Sequence, residues 1–141
     1  MAMKLLSKCK IQRLDSIFDE PGKVCVVVHP HPDGDALGSG IALRNYLMEF
    51  RGQGKEVSLI SPDRFPESLD FLAGNAGIII AGDQLDAAVE AIGSSSLIVC
   101  LDLNSIGRAG CLHDALSSSK AFKVLVDHHP GPAVSEFDLV F

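Results

Sequence analysis

Asp33 and Asp35, separated only by Gly34, close the run His29-Pro30-His31-Pro32-Asp33-Gly34-Asp35. Two carboxylates this close repel one another unless a cation lies between them, and burying either one unpaired is costly. An extended backbone through Gly34 would point both to one side. Asp102 follows an apolar run later in the chain, and Asp127-His128-His129 follows another. These residues offer carboxylate oxygen and imidazole nitrogen without thiolate, a donor set that suits manganese, with magnesium or iron as alternatives, better than structural zinc. The donors exceed one ion's needs. Two divalent ions about 3.5–4 Å apart, sharing one carboxylate, would clamp a phosphate and activate water near neutral pH. Asp102, central in the set, is the expected bridge.

Each group sits at the end of an apolar run: Val24 to Val28 before His29, Leu97 to Leu101 before Asp102, and Lys123 to Val126 before Asp127. Unbroken runs rich in β-branched residues suit strands covered on both faces, as in a parallel sheet. Ligands of such sheets bind at the carboxyl ends of the strands, near the point where the winding reverses, so the three ends are expected to converge. Periodicity predicts an amphipathic helix from Leu5 to Phe18, stopped by Pro21-Gly22, and a second from Ala36 to Phe50. The turn-like Arg51-Gly52-Gln53-Gly54 leads to a strand, Val57 to Ile60, ended by Ser61-Pro62-Asp63. A short helix or turn through Phe65 to Leu72, a strand Ile78 to Ile80 and a helix Leu85 to Ile92 follow, then a break at Gly93-Ser94-Ser95-Ser96 and a helix Leu112 to Ser118. The alternation predicts an α/β fold: a doubly wound, Rossmann-like parallel sheet flanked by helices, with the metal site at the carboxyl ends of the strands. Neither an internal repeat nor a linker to a second domain is visible.

The 141 residues, 47% hydrophobic and 21% charged, suffice for one such domain. A formal charge of −6 argues against a surface that tracks long nucleic acid, which needs many Lys and Arg. The four cysteines form no close pair, and Cys25 and Cys100 lie inside strand-like runs, so they read as reduced thiols. No long apolar stretch follows Lys4, Lys8 and Lys10, so no secretory signal or membrane span is expected and the location inferred is cytoplasmic.

Three motifs occur in order: H-x-x-x-D-G-D-A-L-G-S at His29 to Ser39, D-x-N-S-x-x-R-x-G at Asp102 to Gly110, and D-H-H at Asp127 to His129. Together they resemble the DHH phosphoesterase family over nearly the whole chain. The stretch Pro62 to Leu72, with Pro66 and Phe71-Leu72, is similar to the nanoRNase branch. The resemblance implies that His29 and Asp33 hold one metal ion and Asp35 and His128 another, with Asp102 shared. It implies that Asp127 orients an imidazole, that His129 faces the substrate and that Arg108 contacts phosphate. The implied activity is manganese-dependent hydrolysis of short oligoribonucleotides or 3'-phosphoadenosine 5'-phosphate. The expected partner is a short phosphorylated nucleotide, without long nucleic acid or membrane, and a homodimer is compatible with it. Family members also carry a later metal-binding Asp and a glycine-rich C-terminal substrate domain. Residues 1–141 hold neither, so the chain is expected to be the N-terminal DHH domain of a longer protein, weakly active at best by itself.

Taken singly, these features are less specific. A lone D-G-D is more often a turn, and the spacing downstream of Gly34 fails the calcium-loop pattern. Gly38-Ser39-Gly40 resembles part of a dinucleotide fingerprint, but Leu43 stands where the third glycine should be. Those glycines serve either a close approach to the metal loop or packing. His31 fits no position of the family pattern and is expected at the surface or behind the ligands. His113, Arg44, Arg51 and Arg64 read as surface residues.

Overall fold

All five residues of strand β1, Val24–Val28, are buried, as are all five of β4, Leu97–Leu101. A strand shielded on both faces has no use for polar alternation. The computed structural model describes residues 7–52, 55–73 and 77–141. Around β1 and β4 it sets β2 (Val57–Ser61), β3 (Ile79–Ile80), β5 (Phe122–Val126) and β6 (Leu139–Val140). The helices are α1 (Lys8–Asp19), α2 (Gly34–Phe50), α3 (Asp70–Ala73), α4 (Leu85–Ser94) and α5 (His113–Ser118).

The strands form one sheet in the order β3-β2-β1-β4-β5-β6, and every pairing is parallel. This is the doubly wound order, and its switch point lies between β1 and β4. Side chains alternate across the sheet. Cys25, Val27, Ile98, Cys100 and Leu125 pack with Ala88 and Ile92 of α4 and Leu116 of α5. Val24, Val26, Val28, Val99, Leu101 and Val124 pack on the other face with Phe18 of α1 and Ala36 and Leu47 of α2. Cys25 and Cys100 are fully buried, and desolvation pushes both thiols well up, Cys100 to about 12. Cys9 and Cys111 are exposed, and all four cysteines are free thiols.

Several boundaries depart from the sequence reading. α2 begins at Gly34 rather than Ala36, because the Asp33 side chain caps it by accepting from Ala36 N at 2.9 Å. The two carboxylates of D-G-D therefore do not share an extended segment; Asp33 is the N-cap and Asp35 lies in the first turn. β6 was invisible in the sequence: two residues give no periodicity, and the strand forms only because β5 offers it an open edge. β3 is shorter than expected, and α4 runs on through Gly93 to Ser94. Leu5 and Leu6 of the first predicted helix, and Gln53-Gly54 of the predicted turn, lie outside the described residues. Among the described residues no helix is long and apolar enough to cross a membrane.

The two glycines near the start of α2 have different jobs. A Cβ on Gly40 would stand 2.8 Å from Leu59 Cδ1 and 3.2 Å from Val28 Cγ1, so this glycine lets the helix settle on the sheet, the packing role. A Cβ on Gly38 would meet nothing within 4 Å. Gly38→Ala is expected to raise stability by about 0.5–1 kcal/mol through helix propensity alone. Gly40→Val is expected to lower it by about 1–3 kcal/mol through overpacking. Urea unfolding midpoints of the two variants, shifted in opposite directions, check this.

Candidate metal centre

His29 leaves the end of β1 at the sheet's switch point. Its Nδ1 lies 2.6 Å from the carbonyl oxygen of Pro30, which can only accept, so Nδ1 carries the proton and donates it. In the neutral ring this leaves a bare lone pair on Nε2. That atom faces Asp102 Oδ2 at 3.3 Å and Asp33 Oδ1 at 3.7 Å. Three electron-rich atoms thus converge with no proton to share, an arrangement that a cation resolves.

Asp102 follows β4, the neighbour of β1, and its amide donates to the Val126 carbonyl at the end of β5. Its φ of +58° turns the chain sharply out of the strand and aims the carboxylate across the strand ends. His31 (φ +51°) and Asn104 (φ +65°) share this left-handed conformation. All three lie in the loops that build the site, and they are of the side-chain types that tolerate it best. The Asp102 side chain is 11% exposed, and its two oxygens look in different directions. Oδ2 faces the His29 and Asp33 pair. Oδ1 lies 3.1 Å from His128 Nε2, which in turn is 3.7 Å from Asp35 Oδ2. Oδ1 is buried without an aligned hydrogen-bond donor. The 3.1 Å approach of His128 is therefore proximity rather than a hydrogen bond.

Asp127 is buried behind the two histidines. Its Oδ1 accepts from His129 Nδ1 at 2.6 Å and from His128 N at 2.9 Å, while Oδ2 is buried without a partner. The Asp127 amide is held by the Phe141 carbonyl, beyond β6. The bond to Asp127, foremost, raises the pKa of His129. The amide of Ala36, foremost, lowers that of Asp33, which is thus ionised throughout the neutral range.

An open cleft of about 510 Å³ is lined by His29, Asp33, Asp35, Asp102, Arg108, His128 and His129, with Pro30 and Leu103. Seven of the eight residues singled out in the sequence meet there. The eighth, Asp127, stands behind His129. Two tight groups have candidate ligand atoms all within 4.8 Å of one another: His29, Asp33 and Asp102, and Asp102, Asp127, His128 and His129. Asp35 lies outside both groups and reaches the second only through His128. Three carboxylates, Asp33, Asp35 and Asp102, share the cleft with one guanidinium, so the cleft as built attracts cations and repels a bare phosphate. The donor set and the unpartnered Asp102 Oδ1 fit hard or borderline divalent ions.

Glu136 was missed in the sequence. Its Oε2 accepts from Ile106 N at 2.7 Å, pinning the turn Ile106–Arg108 that delivers Arg108. A solitary glutamate 30 residues away carries no spacing signal for that contact. Gly110, at φ +60°, lets this segment pass Pro30, whose Cγ would lie 3.4 Å from an added Cβ. Asp138 is remote from the cleft, accepting from Lys123 N at the opposite end of β5. Arg51 is tied to Asp15, Asp19 and Tyr46, and Arg64 to Asp83, while His113 is exposed.

Residues 23–140 match the DHH family, N-terminal domain. Among solved structures, an exopolyphosphatase-related protein from Bacteroides fragilis superposes with a TM-score of 0.90 at 28% identity, over 99% of this chain and 40% of that one. The chain thus spans 40% of the length of that relative. An alpha-glucosyltransferase in complex with UDP and DNA superposes with a TM-score of 0.57 at 14% identity, over 86% of this chain and 38% of that one. This second likeness is one of fold alone.

Proposed function

The chain belongs to the DHH family, and from that premise we propose that it is a metal-dependent phosphoesterase acting on short phosphorylated nucleotides. The observation that carries the proposal is the division of the Asp102 carboxylate, with Oδ2 turned to His29 and Asp33 and Oδ1 to His128, the residue that Asp35 approaches. In this reading His29, Asp33 and Asp102 hold one ion, and Asp35, His128 and Asp102 hold a second. Bound divalent ions, manganese foremost, supply Lewis acidity that polarises a phosphoryl oxygen and makes water acidic enough to attack near neutral pH.

The protein's own groups do the rest. Arg108, reaching the cleft from its turn, takes two phosphate oxygens as a fork. His129 keeps Nδ1 on Asp127, so Nε2 is the ring atom left to donate a proton to a phosphate oxygen or to the leaving oxygen. Its raised pKa keeps more of the ring in the donating form. Asp127 fixes that tautomer and stabilises the imidazolium. The three carboxylates of the cleft make phosphate binding depend on prior loading with cations. The acidic balance of the chain favours a short substrate over a long strand.

The name of the B. fragilis relative favours polyphosphate as a second substrate class. Pyrophosphate, cyclic dinucleotides and single-stranded DNA belong to the same panel. A reading of another class is a metal or nucleotide sensor that binds without turnover. The test is phosphate release from 3'-phosphoadenosine 5'-phosphate and from tripolyphosphate, and mononucleotide release from a 5'-phosphorylated dinucleotide. Protein is held in excess over substrate, with manganese and with chelator. Manganese-dependent release by the wild type, lost in Asp102→Ala, is expected for the nucleotides. Equal rates in the two proteins would overturn the mechanism, and tight manganese binding with no release from any substrate would favour the sensor.

A further inference from the structure

We propose that Asp63, in the loop after β2, is a positioning residue for His29 and acts on it through a single peptide group. The peptide between Pro30 and His31 is engaged at both ends. Its carbonyl oxygen accepts the Nδ1 proton of His29 at 2.6 Å, and its N–H donates to Asp63 Oδ2 at 3.1 Å. A trans peptide is planar, with C=O and N–H on opposite sides, so a carboxylate that fixes one side fixes the other. The φ of +51° at His31 belongs to the same device, because it turns the chain away from that peptide. The His31 ring also lies 3.6 Å from the same Asp63 oxygen, but it is 90% exposed and adds little to the hold.

Asp63 is itself anchored. Ser61, the one buried polar residue among the described residues, donates its hydroxyl to the Asp63 carbonyl at 2.5 Å. The chain of contacts runs from the floor of β2 through Asp63 and the 30–31 peptide to His29 Nδ1. It ends at His29 Nε2, the atom facing Asp33 and Asp102. Two physical effects follow. The ring is held in the Nδ1–H tautomer with its lone pair facing the carboxylates. A negative charge on the amide N–H also makes the carbonyl of that peptide a stronger acceptor, which tightens its hold on the Nδ1 proton. Asp63 belongs to none of the three motifs.

The inference rests on the metal-binding reading of His29, and the experiment separates the two. In metal-free protein at pH 8, long-range ¹⁵N–¹H spectra report the tautomer of each histidine. His29 is expected as Nδ1–H in the wild type and as a tautomer mixture in Asp63→Ala. In Asp63→Asn, which keeps an acceptor oxygen for His31 N, it should return to Nδ1–H. Manganese titration is expected to show about tenfold weaker binding at one site in Asp63→Ala, the scale seen for groups that support metal ligands, with recovery in Asp63→Asn. Arg64→Ala, on the same loop but outside the chain of contacts, should change neither readout. An unchanged His29 tautomer in Asp63→Ala overturns the proposal. If Asp63→Ala does not fold, the wild-type His31 amide decides: slow hydrogen exchange supports the bond to Asp63, and exchange at the rate of a free amide overturns it. A wild type that binds no manganese removes the metal reading alone, while the tautomer still decides the role of Asp63.

Discussion

Asp102→Asn is expected to abolish divalent-ion binding at both positions and yet to make the metal-free protein more stable than the wild type. The substitution preserves shape, and asparagine tolerates the left-handed backbone at φ +58° as well as aspartate does. What changes is charge. In the wild type a carboxylate 11% exposed faces His29 Nε2, the ring nitrogen left bare by the Nδ1–H tautomer, at 3.3 Å and has one buried oxygen with no aligned donor. An amide NH₂ in its place donates to a ring nitrogen, replacing a repulsion with a hydrogen bond worth about 1 kcal/mol. With metal the order reverses. Free metal at about 100 times the dissociation constant stabilises a binding-competent wild type by about 2.7 kcal/mol, and the variant gains nothing. Denaturation midpoints in chelator and in manganese, with calorimetric stoichiometry, check both halves. A variant that still binds two ions with unchanged affinity would remove Asp102 from the bridging role.

Asp33 is expected to separate folding from metal binding, because one carboxylate serves both. Its Oδ1 caps α2 at 2.9 Å from Ala36 N and is also the oxygen 3.7 Å from His29 Nε2. Asp33→Asn keeps an effective cap and removes the charge, so stability at neutral pH should hold within a few tenths of a kcal/mol while binding at the His29 position collapses. The loss should reach at least the 10- to 100-fold typical of groups one step further from a metal. Asp33→Ala should lose the same binding and about 1 kcal/mol of stability with it. The folded-state pKa of Asp33 is depressed, chiefly by the Ala36 amide. Its charge therefore contributes stability above the ordinary carboxylate range, and that contribution is lost as the pH falls through the lowered pKa. Asp33→Asn should lack this acid-range dependence. Manganese titration together with urea unfolding of both variants is the test. Undiminished binding at two positions in Asp33→Asn would show that this aspartate only caps the helix.

Both experiments turn on residues legible in the sequence, and the reason is local. A strand buried on both faces must be written as an unbroken apolar run. A polar residue at its end then lies at the carboxyl edge of the sheet, whatever the rest of the chain does. Val28 before His29, Leu101 before Asp102 and Val126 before Asp127 fixed three strand ends, the α/β class and the acidic, imidazole-rich donor set. The tertiary structure decided what depends on atoms distant in the chain. It put Asp33 at the cap of α2 and Asp35 inside the first turn, instead of along one extended segment. It paired β6 with β5, so that Phe141 could hold Asp127, and it brought Glu136 to the Arg108 turn and Asp63 to the His29 peptide. A hydrogen bond across 30 residues leaves no period or spacing in a sequence, because its geometry exists only once the sheet has set the loops side by side. Residue types and strand ends supplied the donors; packing alone divided them between the two oxygens of Asp102.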